Sequence, residues 1–183
     1  MRLKTGSLSN GITRRCFLKV SAIWAGGAWI VGVPALSANP YRVLTDQEAE
    51  IMDALADCII PPGDFYGGKD ALVTRFIDRQ IGPYGHLQKE KEMYQTCLSA
   101  LNRGSKAEFG RNFVDLFEEQ KIVYLTDIEG GKYNHQSNER GWGRFSPSAF
   151  FNTVRNHCMM GFYGSPDHGG NKDYVSYRML GLF

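Results

Sequence analysis

Between Thr45 and Pro62 the chain writes a helix with its own start and stop, and the same punctuation recurs along the rest of the sequence. Thr45 and Glu48 have the spacing of a capping box, in which each side chain satisfies a backbone N–H left over at a helix start. Ile51, Met52, Leu55, Cys58 and Ile59 follow at the spacing of one helical face. Pro61 and Pro62 then remove the donors that a continuing helix needs. A second unit, "GGKDALVTRFIDRQIGP", places Leu72, Val73, Phe76, Ile77 and Ile81 on one stripe and stops at Gly82-Pro83. A third helix is expected from about His86 to Asn102, with Tyr94, Cys97, Leu98 and Leu101 as its stripe and Gly104 as its stop. Ser105 and Glu108 are spaced as another capping box, followed by Phe109, Phe113, Leu116 and Phe117. "FEEQKIVYLTDIEGG" reads as a further helix, with Ile122, Val123, Leu125 and Ile128 apolar.

The clearest helix is "SPSAFFNTVRNHCMMGF". Ser146 is a good N-cap, and Pro147 falls at the first helical position, where a missing N–H costs nothing. Phe150, Phe151, Val154 and Cys158 share one face. Residues 132–145 are polar and Gly-rich and read as a surface loop, and the end, "GFYGSPDHGGNKDYVSYRMLGLF", reads as a loop-like tail rich in glycine and aromatics. No run alternates apolar and polar residues long enough for a sheet. The expectation is an all-α, single compact domain of five to six helices over residues 39–183, ending in that tail. About 145 residues can bury roughly two-thirds of the unfolded chain's surface, enough for an independent core.

Residues 1–38 differ in kind. Arg2, Lys4, Arg14, Arg15 and Lys19 precede Asn39 and no acidic residue does, so the formal charge of +2 divides unevenly. Taking those five from 21 basic residues leaves 16 against 19 acidic ones, or −3 for the remainder. Such a balance gives no electrostatic reason to bind nucleic acid. Val20–Val33 carries no charge, but at about 1.5 Å per residue it spans roughly 21 Å, less than a hydrocarbon core of about 30 Å. Gly26, Gly27 and Gly32 weaken it further as a helix. A basic start, a short apolar run and small residues after it have the form of a secretory signal, with cleavage after Ala35, Ser37 or, preferably, Ala38. Thr13-Arg14-Arg15-Cys16-Phe17-Leu18-Lys19 resembles a twin-arginine export motif, with Arg14, Arg15, Phe17 and Leu18 as its matching residues. Cargo of that route is folded before transport.

Chemistry-bearing motifs are sparse. The sequence has no dinucleotide or phosphate-binding glycine loop, no His-Glu-x-x-His pair and no Gly-x-Ser-x-Gly elbow. His86, His135, His157 and His168 are scattered. His157 is next to Cys158, but adjacent residues on a helix point apart. Asp57, Asp64 and Asp78 read as caps or solvated carboxylates before they read as ligands. Beyond the leader remain Cys58, Cys97 and Cys158, an odd number for an oxidising compartment and without zinc, haem or cluster spacing. Cys58 and Cys97 read as buried free thiols on helices.

Two stretches, "LTDQEAEIMDALADCIIPPGD…ALVTRFIDRQI" and "FFNTVRNHCMMGFYGSPDHGGNKDYVSYRMLGL", resemble the gluconate 2-dehydrogenase subunit 3 family. The most specific part is the late Gly-Phe-Tyr-Gly-x-Pro…Gly-Gly-Asn loop, made here by Gly161, Phe162, Tyr163, Gly164, Pro166, Gly169, Gly170 and Asn171. Tyr177 departs from the family's usual tryptophan. The resemblance implies a non-catalytic small (gamma) subunit with no cofactor, catalytic residue or metal of its own. Its partner would be a large subunit of glucose-methanol-choline type that binds FAD and oxidises a sugar, glycoside or sugar acid, with an iron–sulfur cluster on that subunit left open. A cytochrome c subunit with haem c often takes the electrons onward. The small subunit would be needed for the flavoprotein's maturation, stability and passage through the Tat translocase to a periplasmic complex associated with the inner membrane. The resemblance also points to Cys158 and the loop residues as the partner interface, with an inter-chain disulfide at Cys158 one arrangement and a buried, unpaired thiol the other. The aromatic tail has the composition of an interface core, and equally of local packing. A stand-alone periplasmic binding or metal protein using the loop histidines and Asp167 is the alternative reading.

Overall fold

The computed structural model describes residues 22–25, 28–31, 40–131 and 141–182, and it falls into two units, residues 1–38 and 39–183. Arg14, Arg15, Phe17 and Leu18 lie outside the described residues. In the first unit, strands β1 (Ala22–Ala25) and β2 (Ala28–Val31) pair antiparallel, with Ala22 opposite Val31 and Ala25 opposite Ala28. This hairpin lies ahead of residues 39–183, the part expected to be all-α. Alternation could not signal it, because both strands are apolar throughout. The usable signal was the Gly-Gly dipeptide between two short runs that hold tryptophan and isoleucine.

The second unit is all-helical among the described residues, with six α-helices: α1 (Asp46–Ile59), α2 (Val73–Gln80), α3 (Lys91–Phe109), α4 (Glu118–Glu129), α5 (Pro147–Tyr163) and α6 (Val175–Met179). The caps expected at Thr45 and Ser146 form. Glu48 N–H donates to Thr45 Oγ1 at 3.3 Å, and Thr45 N–H donates to Glu48 Oε2 at 2.8 Å. Helix α5 begins at Ser146 with Pro147 in its first turn. It is the hub of the unit, in contact with α1, α2, α3, α4 and α6. Its inward face, Phe150, Phe151, Val154, Cys158 and Phe162, joins Met52, Leu55, Ile77, Tyr94 and Leu101 in one core.

Helix α3 departs from the expected boundaries at both ends. It starts at Lys91, after a 3₁₀ turn over Gln88–Glu90, because Leu87 N–H is committed to Gln80 C=O at 2.9 Å. It then runs through Gly104 and stops at Gly110, whose φ of 70° suits glycine. Ser105 is therefore not a cap. It lies buried inside the helix, its hydroxyl donating to Asn102 C=O at 3.0 Å and Arg111 C=O at 3.2 Å. An interior glycine costs about 1 kcal/mol, and burial of Leu98, Leu101 and Ser105 on the same helix offsets it. The tail is also more ordered than its composition suggested. It holds 3₁₀ turns at Pro166–His168 and Lys172–Tyr174 before α6. Trp142, within the expected surface loop, is buried and packs its ring 5.7 Å from Phe150.

One side chain fixes where this unit begins. Asp78, on α2 and 1% exposed, accepts three backbone N–H groups: Arg42 at 2.7 Å, Val43 at 2.9 Å and Leu44 at 2.9 Å. A buried carboxylate is tolerable when its lone pairs are filled, and here they hold the strap ahead of α1 against α2. The carboxylate read as a cap or solvated group is thus a clamp.

Candidate functional site

The C-terminal half of α5 and the loop after it carry the family-like residues, and packing explains most of them. A Cβ on Gly161 would stand 2.7 Å from the Phe76 ring of α2. One on Gly170 would stand 2.2 Å from Gly161 C=O, so two backbones touch where neither residue can grow. Gly169 has φ 107° and lies against the Arg79 side chain. Asn171, fully buried with φ 45°, donates from Nδ2 to Gly164 C=O at 2.8 Å and accepts from Ser176 N–H at 3.0 Å. One amide thereby ties the end of α5 to the start of α6. The loop is a brace that fixes α5, α2 and α6 to one another.

The residues expected at a partner interface sort accordingly. Cys158, Gly161, Phe162, Gly170 and Asn171 are buried within this chain. Tyr163 is exposed, and Gly164, Pro166 and Gly169 are half-buried. Cys158 faces the core because it shares the Phe151–Val154–Phe162 face of α5, and burial pushes its thiol up to about 12. Presenting it to another chain would require α5 to leave its seat. Cys97 is likewise buried, its thiol raised to about 12, while Cys58 is half-buried and raised to about 11, desolvation being the leading cause in each. All three are free.

The residues weighed for catalysis are placed as follows. His157 turns away from Cys158: its Nδ1 pairs with the buried Tyr94 hydroxyl at 2.9 Å, and the two rings stack at 6.0 Å. Burial lowers the His157 pKa, with Glu90 opposing, and raises that of Tyr94. A neutral imidazole accepting from a phenol fits both shifts. Asp57 accepts Lys69 N–H at 2.9 Å, and Asp64 is exposed. His135 lies outside the described residues. Among the described residues, no three His, Cys, Asp or Glu side chains gather where they could hold a metal ion. No helix among them is long and apolar enough to cross a membrane.

A groove of about 500 Å³ shaped to receive another molecule lies between α2 and α5. Phe76 and Gln80 of α2 form one wall, and Met159, Met160 and Tyr163 of α5 the other. His86 and Leu87 close one side, and Gly164, Ser165 and His168 border it from the loop after α5. Most of that lining is apolar. Met159, Met160 and Tyr163 remain 42%, 50% and 39% exposed, on the helix face opposite Cys158. Of these groove residues the sequence reading singled out Tyr163 and Gly164 for the interface. The missed signal was the pair of methionines lying off the apolar stripe that buries Cys158.

The match to known families settles the relationship. The family described as gluconate 2-dehydrogenase subunit 3 covers residues 46–182, from the first residue of α1 to three residues past α6. The chain belongs to that family. Both stretches behind the resemblance fall almost wholly within the matched span, and the family's description implies membership of a multisubunit dehydrogenase complex. No curated protein and no solved structure matches the chain.

Proposed function

We propose that this chain is the non-catalytic small subunit of an FAD-dependent dehydrogenase complex, and that it carries and shelters the flavoprotein during export. The single observation behind this is membership of the subunit 3 family over residues 46–182. The site chemistry is in keeping with it. The histidine, cysteine and carboxylates best placed for chemistry are committed to internal contacts: His157 to Tyr94, Asp78 to the strap, Cys158 to the core. What faces outward is an apolar groove, and a partner that binds only the folded state stabilises it by mass action. On this reading FAD belongs to a glucose-methanol-choline-type subunit, electrons pass onward to a cytochrome c where one is present, and the substrate is a sugar, glycoside or sugar acid. The twin-arginine motif at Arg14 and Arg15 is the export address for the folded pair, and the complex works in the periplasm at the inner membrane.

The test uses a tagged full-length chain co-expressed with the flavoprotein. The expected result is a yellow complex on the tag, with dehydrogenase activity in the periplasm. Changing Arg14 and Arg15 together to Lys should leave that activity in the cytoplasm. A colourless chain that binds metal, or one that oxidises substrate alone, would replace this reading.

A further inference from the structure

Taking as given that the chain is the small subunit of a dehydrogenase complex, we infer that the groove between α2 and α5 seats a protruding apolar segment of the catalytic subunit, one that carries a carboxylate. Three features define that occupant.

The first is shape. A volume of about 500 Å³ open to solvent calls for a convex partner. A second copy of this chain meeting it groove against groove would leave the volume unfilled, since both surfaces are concave. Docking another copy's exposed Phe117 or Ile122 would be a head-to-tail contact that need not close.

The second is composition. Tyrosine and methionine are enriched in interface cores, and unbranched Met side chains adapt to a partner's surface. Tyr163 follows Met159 by four residues and Met160 by three, so each methionine neighbours the tyrosine on the helix surface. Tyr84, 94% exposed, projects from the same loop as His86.

The third is charge. The unit beyond residue 38 is acidic overall, yet no carboxylate lines the groove, which instead carries His86 and His168. Arg79 stands beside it against Gly169. Asp167, next to His168 in sequence, is exposed and outside the lining, its carboxylate accepting from the Ser165 hydroxyl at 3.1 Å. An acidic group on the incoming segment is therefore complementary to Arg79, and a lysine or arginine there would be disfavoured by that like charge.

The experiment is co-purification of the flavoprotein on tagged full-length chain, comparing Met160→Asp with Ile122→Asp on α4, which is similarly exposed at 53%. Met160→Asp should lower recovered flavoprotein at least about tenfold, the scale of a hot-spot residue. Ile122→Asp should leave it near wild type. Met160→Leu, which keeps the apolar contact, should also bind, separating the contact from misfolding. Amide hydrogen exchange on the wild-type complex should show new protection over residues 159–168. Equal recovery by Met160→Asp and wild type, or protection confined to α4, overturns the groove assignment and leaves the subunit reading standing. Dimerisation of the chain alone that Met160→Asp abolishes would assign the groove to a second copy and overturn it as well. A wild-type chain that recovers no flavoprotein sinks the subunit reading itself.

Discussion

At the scale of single residues, the buried Tyr94–His157 pair gives the chain a pH dependence whose sign can be worked out. Burial holds the folded-state pKa of His157 below its ordinary 6.5. The unfolded chain therefore binds a proton first, and stability falls as pH drops through 6.5, levelling once the folded histidine also titrates. The charged and titratable neighbours are Glu90, which favours protonation, and Tyr94 and Cys158, both kept neutral by burial. Asp53 and Asp57, whose pKa values burial raises, act with the opposite sign at lower pH. Urea unfolding at pH 7.5 and 5.5 should show a loss that His157→Asn, which has no titration there, does not share. An equal loss in both proteins would place the proton elsewhere.

At the scale of elements, the strap over residues 42–44 depends on one carboxylate of α2. Asp78→Asn keeps an oxygen for Val43 and Leu44 but turns an NH₂ toward the Arg42 N–H. Chemical denaturation should report a loss of about 1–3 kcal/mol, with faster exchange of the 42–44 amides. Unchanged exchange there would show the strap held by something else. Most elements were legible in the sequence because their ends carry local chemistry: Thr45 with Glu48, Pro61-Pro62, and Ser146-Pro147. Helix α3 was not, because Gly104 has the local signature of a stop while its role is set by neighbours far along the chain. The same limit hid Asp78. A carboxylate on a helix looks solvated until the strap 34 residues earlier folds over it. The groove was half legible: Tyr163 and Gly164 could be named, but Phe76, Gln80 and His86 join them only once α2 packs on α5.

At the scale of the whole molecule, the glycine loop, the Asn171 amide and the α5 core face form one brace, and the three thiols report on it. Their pKa values near 11 to 12 and their burial predict slow alkylation at pH 8 in the native chain. Cys158 should react only when α5 unseats, so its rate in mild denaturant should follow global unfolding, with half-exposed Cys58 reacting sooner. Rapid native labelling of Cys158, read by mass spectrometry, would show that α5 opens on its own. It would also revive the inter-chain disulfide as an arrangement open to the complex.

The Asp78 clamp has a bearing on synthesis. The carboxylate follows Arg42 by 36 residues, so the strap is synthesised well before the group that anchors it. Residues 42–44 therefore stay untied on a nascent chain until α2 has been made, and only a chain finished to that point can close them against it.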